Sequence, residues 1–71
     1  MQIVESAINE SKQQNRTVTI DEIDMKRAGV SRESVIEYLY VECEGSDDAE
    51  TDFWGVDCDG NEWRVCVEVA S

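Results

Sequence analysis

The 71-residue sequence has no histidine, and it has only six Lys or Arg against 17 Asp or Glu, for a formal net charge of −11. Each scarcity removes a class of function. Without imidazole, Ser-His and Cys-His nucleophile pairs cannot be built, and the usual nitrogen-and-sulfur metal site loses half its ligand set. Cysteine is also sparse: Cys43, Cys58 and Cys66 are an odd number with no C-x-x-C spacing. That fits neither a disulfide framework nor a zinc finger, so they read as small buried or half-buried apolar side chains in a reducing cytosol. No metal and no cofactor are expected. The shortage of cations argues against a sequence-independent grip on nucleic acid phosphates and against anionic membrane surfaces. No apolar run approaches the roughly 20 residues of a spanning helix, and no signal-peptide pattern is present, so a cytoplasmic location is expected.

What is present is a charge imbalance with an address. Residues 1–32 hold five acids (Glu5, Glu10, Asp21, Glu22, Asp24) and five bases (Lys12, Arg16, Lys26, Arg27, Arg32). Residues 33–71 hold twelve acids and one base, Arg64, so the whole −11 lies there. So much charge of one sign is a mark of disorder, but 41% hydrophobic residues, two Trp and two Tyr in periodic runs point to a folded chain. The length suits a single domain over 1–71. A domain this small buries only about 60% of its unfolded surface, which leaves a thin core.

The periodicity gives an α+β order: two to three N-terminal helices over 1–41, charge-neutral up to Arg32, then an acidic loop and an antiparallel β-hairpin over 42–71. Ile3, Val4, Ala7 and Ile8 set a helix over 2–14 that fades near Asn15. Thr19-Ile20-Asp21-Glu22 has capping-box form, which predicts a second helix over about 20–28 stopped by Gly29. Ser31 then caps a third helix over about 32–41, striped by Val35, Ile36, Leu39 and Tyr40. Tyr38–Cys43 also alternates, so its end reads equally as a strand, which would make the sheet three-stranded. Gly45–Thr51 reads as a flexible acidic loop. Asp59-Gly60 between two alternating runs is a hairpin signal. A two-residue loop there pairs Val56 with Trp63 and Trp54 with Val65 on a core face, and Asp57 with Glu62 on the other.

The stretch Val18-Thr19-Ile20 through Ala28-Gly29-Val30-Ser31-Arg32-Glu33-Ser34-Val35, with Tyr38 at the next core position, resembles the helix-turn-helix of bacterial repressors over residues 18–38. Two positions depart from that pattern: Met25 stands where a small residue is favoured, and Asp24 where an apolar one is. The resemblance implies a small winged-helix regulator, with Ser31, Arg32, Glu33, Ile36 and Glu37 toward the major groove and Lys26, Arg27 and Arg32 on phosphates. A wing carrying Asp57, Asp59 and Glu62 would meet those phosphates with the wrong sign. Scaffold use of this geometry is therefore the preferred expectation, and direct nucleic acid binding the alternative.

Two further constellations are weighed against plain turn structure. Asp57-Cys58-Asp59-Gly60-Asn61-Glu62, with Glu68 at the twelfth place, resembles the start of an EF-hand loop. However, Glu62 sits where the sharp turn needs glycine, Arg64 where an apolar residue is usual, and the flanks read as strands. Asp57 and Glu62 could share a proton for acid-base catalysis, but on an exposed ribbon without a pocket they are expected to be merely solvated. No enzyme activity is expected.

The strongest reading concerns the cation-free stretch 33–63. Carboxylates at i and i+2 on one strand face stand about 6.6–6.8 Å apart, and Glu42/Glu44, Glu50/Asp52 and Asp57/Asp59 have that spacing. A rigid row of this kind would present a DNA-like negative surface to a basic groove. The bland alternative is an acidic surface that only keeps the chain soluble, as in halophiles, but the neutral N-terminal part does not share that acidity. In size and charge the chain resembles phage-encoded DNA mimics, including anti-CRISPR and anti-restriction proteins. The resemblance implies a basic nucleic-acid-binding protein or complex as partner, met in the host cytoplasm. The expected partner-binding residues are Glu42, Glu44, Asp47, Asp48, Glu50, Asp52, Asp57, Asp59 and Glu62.

Overall fold

The architecture is that of a computed structural model, which describes residues 1–68. It is a small α+β domain with the order α1 (Gln2–Gln14), β1 (Thr17–Ile20), α2 (Glu22–Ala28), α3 (Arg32–Glu42), β2 (Gly45–Ser46), β3 (Asp52–Val56) and β4 (Glu62–Val67). The strands form one four-stranded mixed sheet in the order β1-β4-β3-β2. β1 runs parallel to β4, while the β2/β3 and β3/β4 pairs are antiparallel.

The helices begin and end where local chemistry dictates. α1 closes on Asn15, whose φ of 52° is left-handed and whose N–H donates to the Ser11 carbonyl. α2 is capped two residues later than its sequence suggests. The Asp21 carboxylate accepts from the Asp24 N–H at 2.8 Å, and the Asp24 carboxylate accepts in return from the Asp21 N–H. This reciprocal capping box displaces the one expected at Thr19. It releases Thr17–Ile20, two β-branched pairs with alternating burial, to form β1. Gly29, at φ 69°, ends α2 as expected. Ser31 caps α3 by accepting from the Ser34 N–H. α3 continues to Glu42, so Tyr38–Glu42 is helical and the following strand is only Gly45–Ser46.

The hairpin has a different register from a two-residue loop. Trp54 opposes Arg64, Phe53 opposes Val65, Gly55 opposes Trp63 and Val56 opposes Glu62. Gly60 adopts φ 84°, and the Gly60 N–H donates to the Asp57 carbonyl. This closes a three-residue loop, the common alternative to the two-residue turn. A one-residue slip exchanges the two faces of a strand. Trp63 therefore points into the core at 6% exposure, while Trp54 points away from it at 37%. Asp57 and Glu62 are not paired.

All three helices cover one face of the sheet. Val4, Ala7 and Ile8 of α1, Met25 of α2, and Val35, Ile36 and Leu39 of α3 meet Val18, Ile20, Phe53, Trp63, Val65 and Val67 in one core. Tyr40 adds an edge-to-face contact on Phe53, with centroids 5.3 Å apart. Among the described residues nothing covers the opposite face, which carries Thr17, Thr19, Trp54, Val56, Glu62 and Arg64, all exposed. Among the described residues, no helix is long and apolar enough to cross a membrane.

Candidate acidic interaction surface

The nine candidate acids are built onto two turns and the ends of the elements beside them. Asp47, Asp48, Glu50 and Asp52 surround the β2–β3 turn, at the end of the sheet where α3 begins. Asp57, Asp59 and Glu62 surround the β3–β4 turn at the other end, where Glu42 and Glu44 close α3 and lead into β2. The five residues of β3 separate the two groups by about 17 Å at the usual rise of ~3.3 Å per residue.

None of the three i, i+2 pairs forms a row on a strand face. Glu42 is the last residue of α3 and Glu44 lies in the link to β2. Glu50 has a left-handed φ of 57° in the turn before Asp52. Asp57 and Asp59 lie in the hairpin turn rather than in the strand. The charges are thus held by turn geometry, not by a pleated ladder.

Two of the acids do structural work inside their turns. The Asp47 carboxylate accepts from the Thr51 hydroxyl at 2.6 Å, the Thr51 N–H at 2.7 Å and the Asp52 N–H at 3.0 Å. These bonds, led by the Thr51 hydroxyl, hold its carboxyl below the usual carboxylate range. The Asp57 carboxylate accepts from the N–H groups of Asn61 at 2.8 Å and Asp59 at 3.0 Å, from the Asn61 side-chain amide, and from Lys12 Nζ at 3.3 Å. The Asn61 backbone bond is the first cause of its lowered pKa, and partial desolvation opposes the shift. Lys12 joins the hairpin turn to α1.

The other acids are differently placed. Glu42, Glu44, Asp48, Glu50, Asp59 and Glu62 are exposed and Asp52 is half-buried. Among the described residues only two ion pairs form, Lys12–Asp57 and Arg16–Glu10, so none of these seven carboxylates takes part in one. Arg64, the one base of the acidic part, lies 5.6 Å from the Trp54 ring centroid at the middle of the open sheet face. The surface is therefore a pair of acidic ends flanking an aromatic, cationic centre. Sequence periodicity missed that centre because the register slip had assigned Trp54 to the core.

The residues implied by the helix-turn-helix resemblance are placed otherwise. Ile36 is buried at 5% exposure, so it faces the core and not a groove. The Arg32 guanidinium donates to the carbonyls of Glu68 and Glu50, tying the start of α3 to β4 and to the acidic turn.

The thiols also depart in part from expectation. Cys43 and Cys66 are half-buried, and burial raises both above the usual thiol range, whereas Cys58 is exposed in the hairpin turn. No group of three or more metal-ligating side chains clusters among the described residues. Comparison with protein-family models, curated proteins and solved structures finds no match.

Proposed function

We propose that this protein is a non-enzymatic inhibitor of a basic nucleic-acid-binding protein or complex, acting through a DNA-like negative surface in the manner of anti-CRISPR and anti-restriction proteins. The observation that carries the reading is the contrast among the nine acids. Asp47 and Asp57 fix the two turns with their own carboxylates, while Glu42, Glu44, Asp48, Glu50, Asp59 and Glu62 stand exposed around them without an ion pair among the described residues. Pinned turns reduce the side-chain and loop ordering that binding otherwise costs. Carboxylates without intramolecular partners keep their charge available to a cationic groove. Trp54 between the two groups adds a large aromatic contact of the kind that dominates interface energies.

Charge of this density steers association and makes it sensitive to salt. The test is a titration against purified nucleases and DNA-binding complexes over a salt series, with duplex DNA as competitor. The expected result is binding that competes with DNA and weakens as salt rises, and that is lost in a Glu44→Lys, Asp59→Lys, Glu62→Lys variant. Binding that is indifferent to salt and to these reversals sinks the proposal.

A further inference from the structure

The two edges of the sheet are treated differently. β2, at one edge, is only two residues long and is flanked by Glu44, Asp47 and Asp48. Short strands and flanking charge are standard protection against edge-to-edge pairing. β1, at the other edge, is Thr17-Val18-Thr19-Ile20, with no charge, proline or glycine within it. Among the described residues β1 pairs only with β4.

The register decides which backbone groups of β1 are left over. Thr17 sits beside Arg64 and Ile20 beside Val67, and the Ile20 carbonyl accepts from the Glu68 N–H at 3.0 Å. In a parallel ladder the residue that bonds this way turns both its N–H and its C=O toward the neighbouring strand, and so does the residue two before it. Ile20 and Val18 therefore face β4, and the N–H and C=O groups of Thr17 and Thr19 point outward, where the exposed Arg16 guanidinium donates a long 3.4 Å bond to the Thr17 carbonyl that an added strand would displace. Beside this edge a groove of about 630 Å³ opens between α1, β1 and α2, lined by apolar Ile3, Val18 and Ile20 together with charged Glu10, Asp24 and Arg27.

We infer that the outer edge of β1 is a self-association site, where a second copy of this chain adds its own β1 antiparallel across a two-fold axis and joins two four-stranded sheets into one. The strand is self-complementary in one register. With Val18 opposite the partner's Val18, each Thr17 faces the partner's Thr19. Both threonine pairs are then hydrogen-bonded pairs that exchange N–H···O bonds. Side-chain parity is kept, so the helices of both copies lie on one face and the two mixed polar and apolar grooves face each other across the axis.

Charge selects the same edge. Two chains of net charge −11 repel, but residues 1–32, which supply β1, α1 and α2, carry five acids and five bases. This neutral part is where a second copy can approach with least repulsion, and it leaves both acidic ends of each copy outermost.

Sedimentation velocity and light scattering over a wide concentration range provide the test, with amide hydrogen exchange read at Thr17 and Thr19. The expected result is a dimer of the 8.0 kDa chain, with both amides protected more strongly as concentration rises. Thr19→Pro removes an outward donor while sparing the β4 ladder, a position edge strands tolerate. Thr19→Lys charges the edge without touching the backbone. Both variants should be monomeric, with circular dichroism unchanged. Reversal of Glu44, Asp59 and Glu62 should leave the dimer intact, which separates this site from the partner-binding surface. A monomer at every concentration overturns the inference, as does a dimer that survives both Thr19 variants with the two amides exchanging freely.

Discussion

The Trp63 indole lies across Gly55, its direct cross-strand partner on the core face, so closely that a Cβ at position 55 would stand 2.7 Å from Trp63 Cζ2. The same pairing recurs on the open face, where Trp54 lies over Gly45 and a Cβ there would stand 2.6 Å from Trp54 Nε1. Each glycine weakens its strand by itself, and each ring covers the backbone so exposed.

The two pairs differ in how far the ring can yield, and this gives the first prediction. Trp63 is buried among core side chains, whereas Trp54 is partly exposed over the open face. Gly55→Ala must push a packed indole and should destabilise the domain by about 1–3 kcal/mol, as overpacking of a core does. Gly45→Ala lets Trp54 swing outward and should cost clearly less. Urea unfolding followed by tryptophan fluorescence distinguishes them. Equal losses would mean that Trp54 is held as firmly as Trp63.

Ser11 gives the second prediction. It is 2% exposed, its hydroxyl donates to the Arg16 carbonyl at 2.6 Å, and it accepts from the Arg64 N–H at 2.9 Å. One hydroxyl thus joins the end of α1 to β4. Ser11→Ala leaves a buried donor and an acceptor without that partner, at an expected cost of about 1–3 kcal/mol. Exchange of the Arg64 amide should quicken relative to its neighbours on β4. Unchanged exchange at Arg64 would show that the bond is not holding the strand.

Ser11 also shows where the sequence was readable and where it was not. Val4, Ala7, Ile8 and Ser11 stand at i, i+3, i+4 and i+7, so the helical stripe extended one step further than the apolar residues alone suggested. The α+β class, α1, the Gly29 stop and the Ser31 cap were legible because each rests on residues adjacent in sequence. β1 was not, because Thr19 and Asp21 both offer a cap and the choice is settled by pairing with β4, more than 40 residues away. The hairpin was legible but its register was not. Asp59-Gly60 suits loops of two or three residues, and the bonds that Asp57 accepts from Asp59 and Asn61 favour the longer one. That single residue moved Trp54 from the expected core to the middle of the candidate surface. The acidic residues were legible as a group, but their division between two turns follows from the register too.

Asp47 and Asp57 carry the third prediction, which concerns acid. Both carboxyls have folded-state pKa values below the ordinary 3.8, because their turns donate to the charged form. A group depressed in this way contributes stability that is fully present above its unfolded value and is lost as pH falls through its folded value. The contribution should therefore hold from neutral pH down to near 3.8 and then drain away below it. The exposed acids act in the opposite sense, since protonating them relieves the mutual repulsion of a −11 chain. Comparison with the Asp47→Asn, Asp57→Asn variant isolates the turn carboxylates, because the remaining acids are common to both proteins. The variant should be less stable at neutral pH, and the two stability curves should converge as pH falls below 3.8. Urea unfolding across a pH series measures this directly. A gap that stays constant with pH would mean that the turns need the oxygen atoms of Asp47 and Asp57 but not their charge.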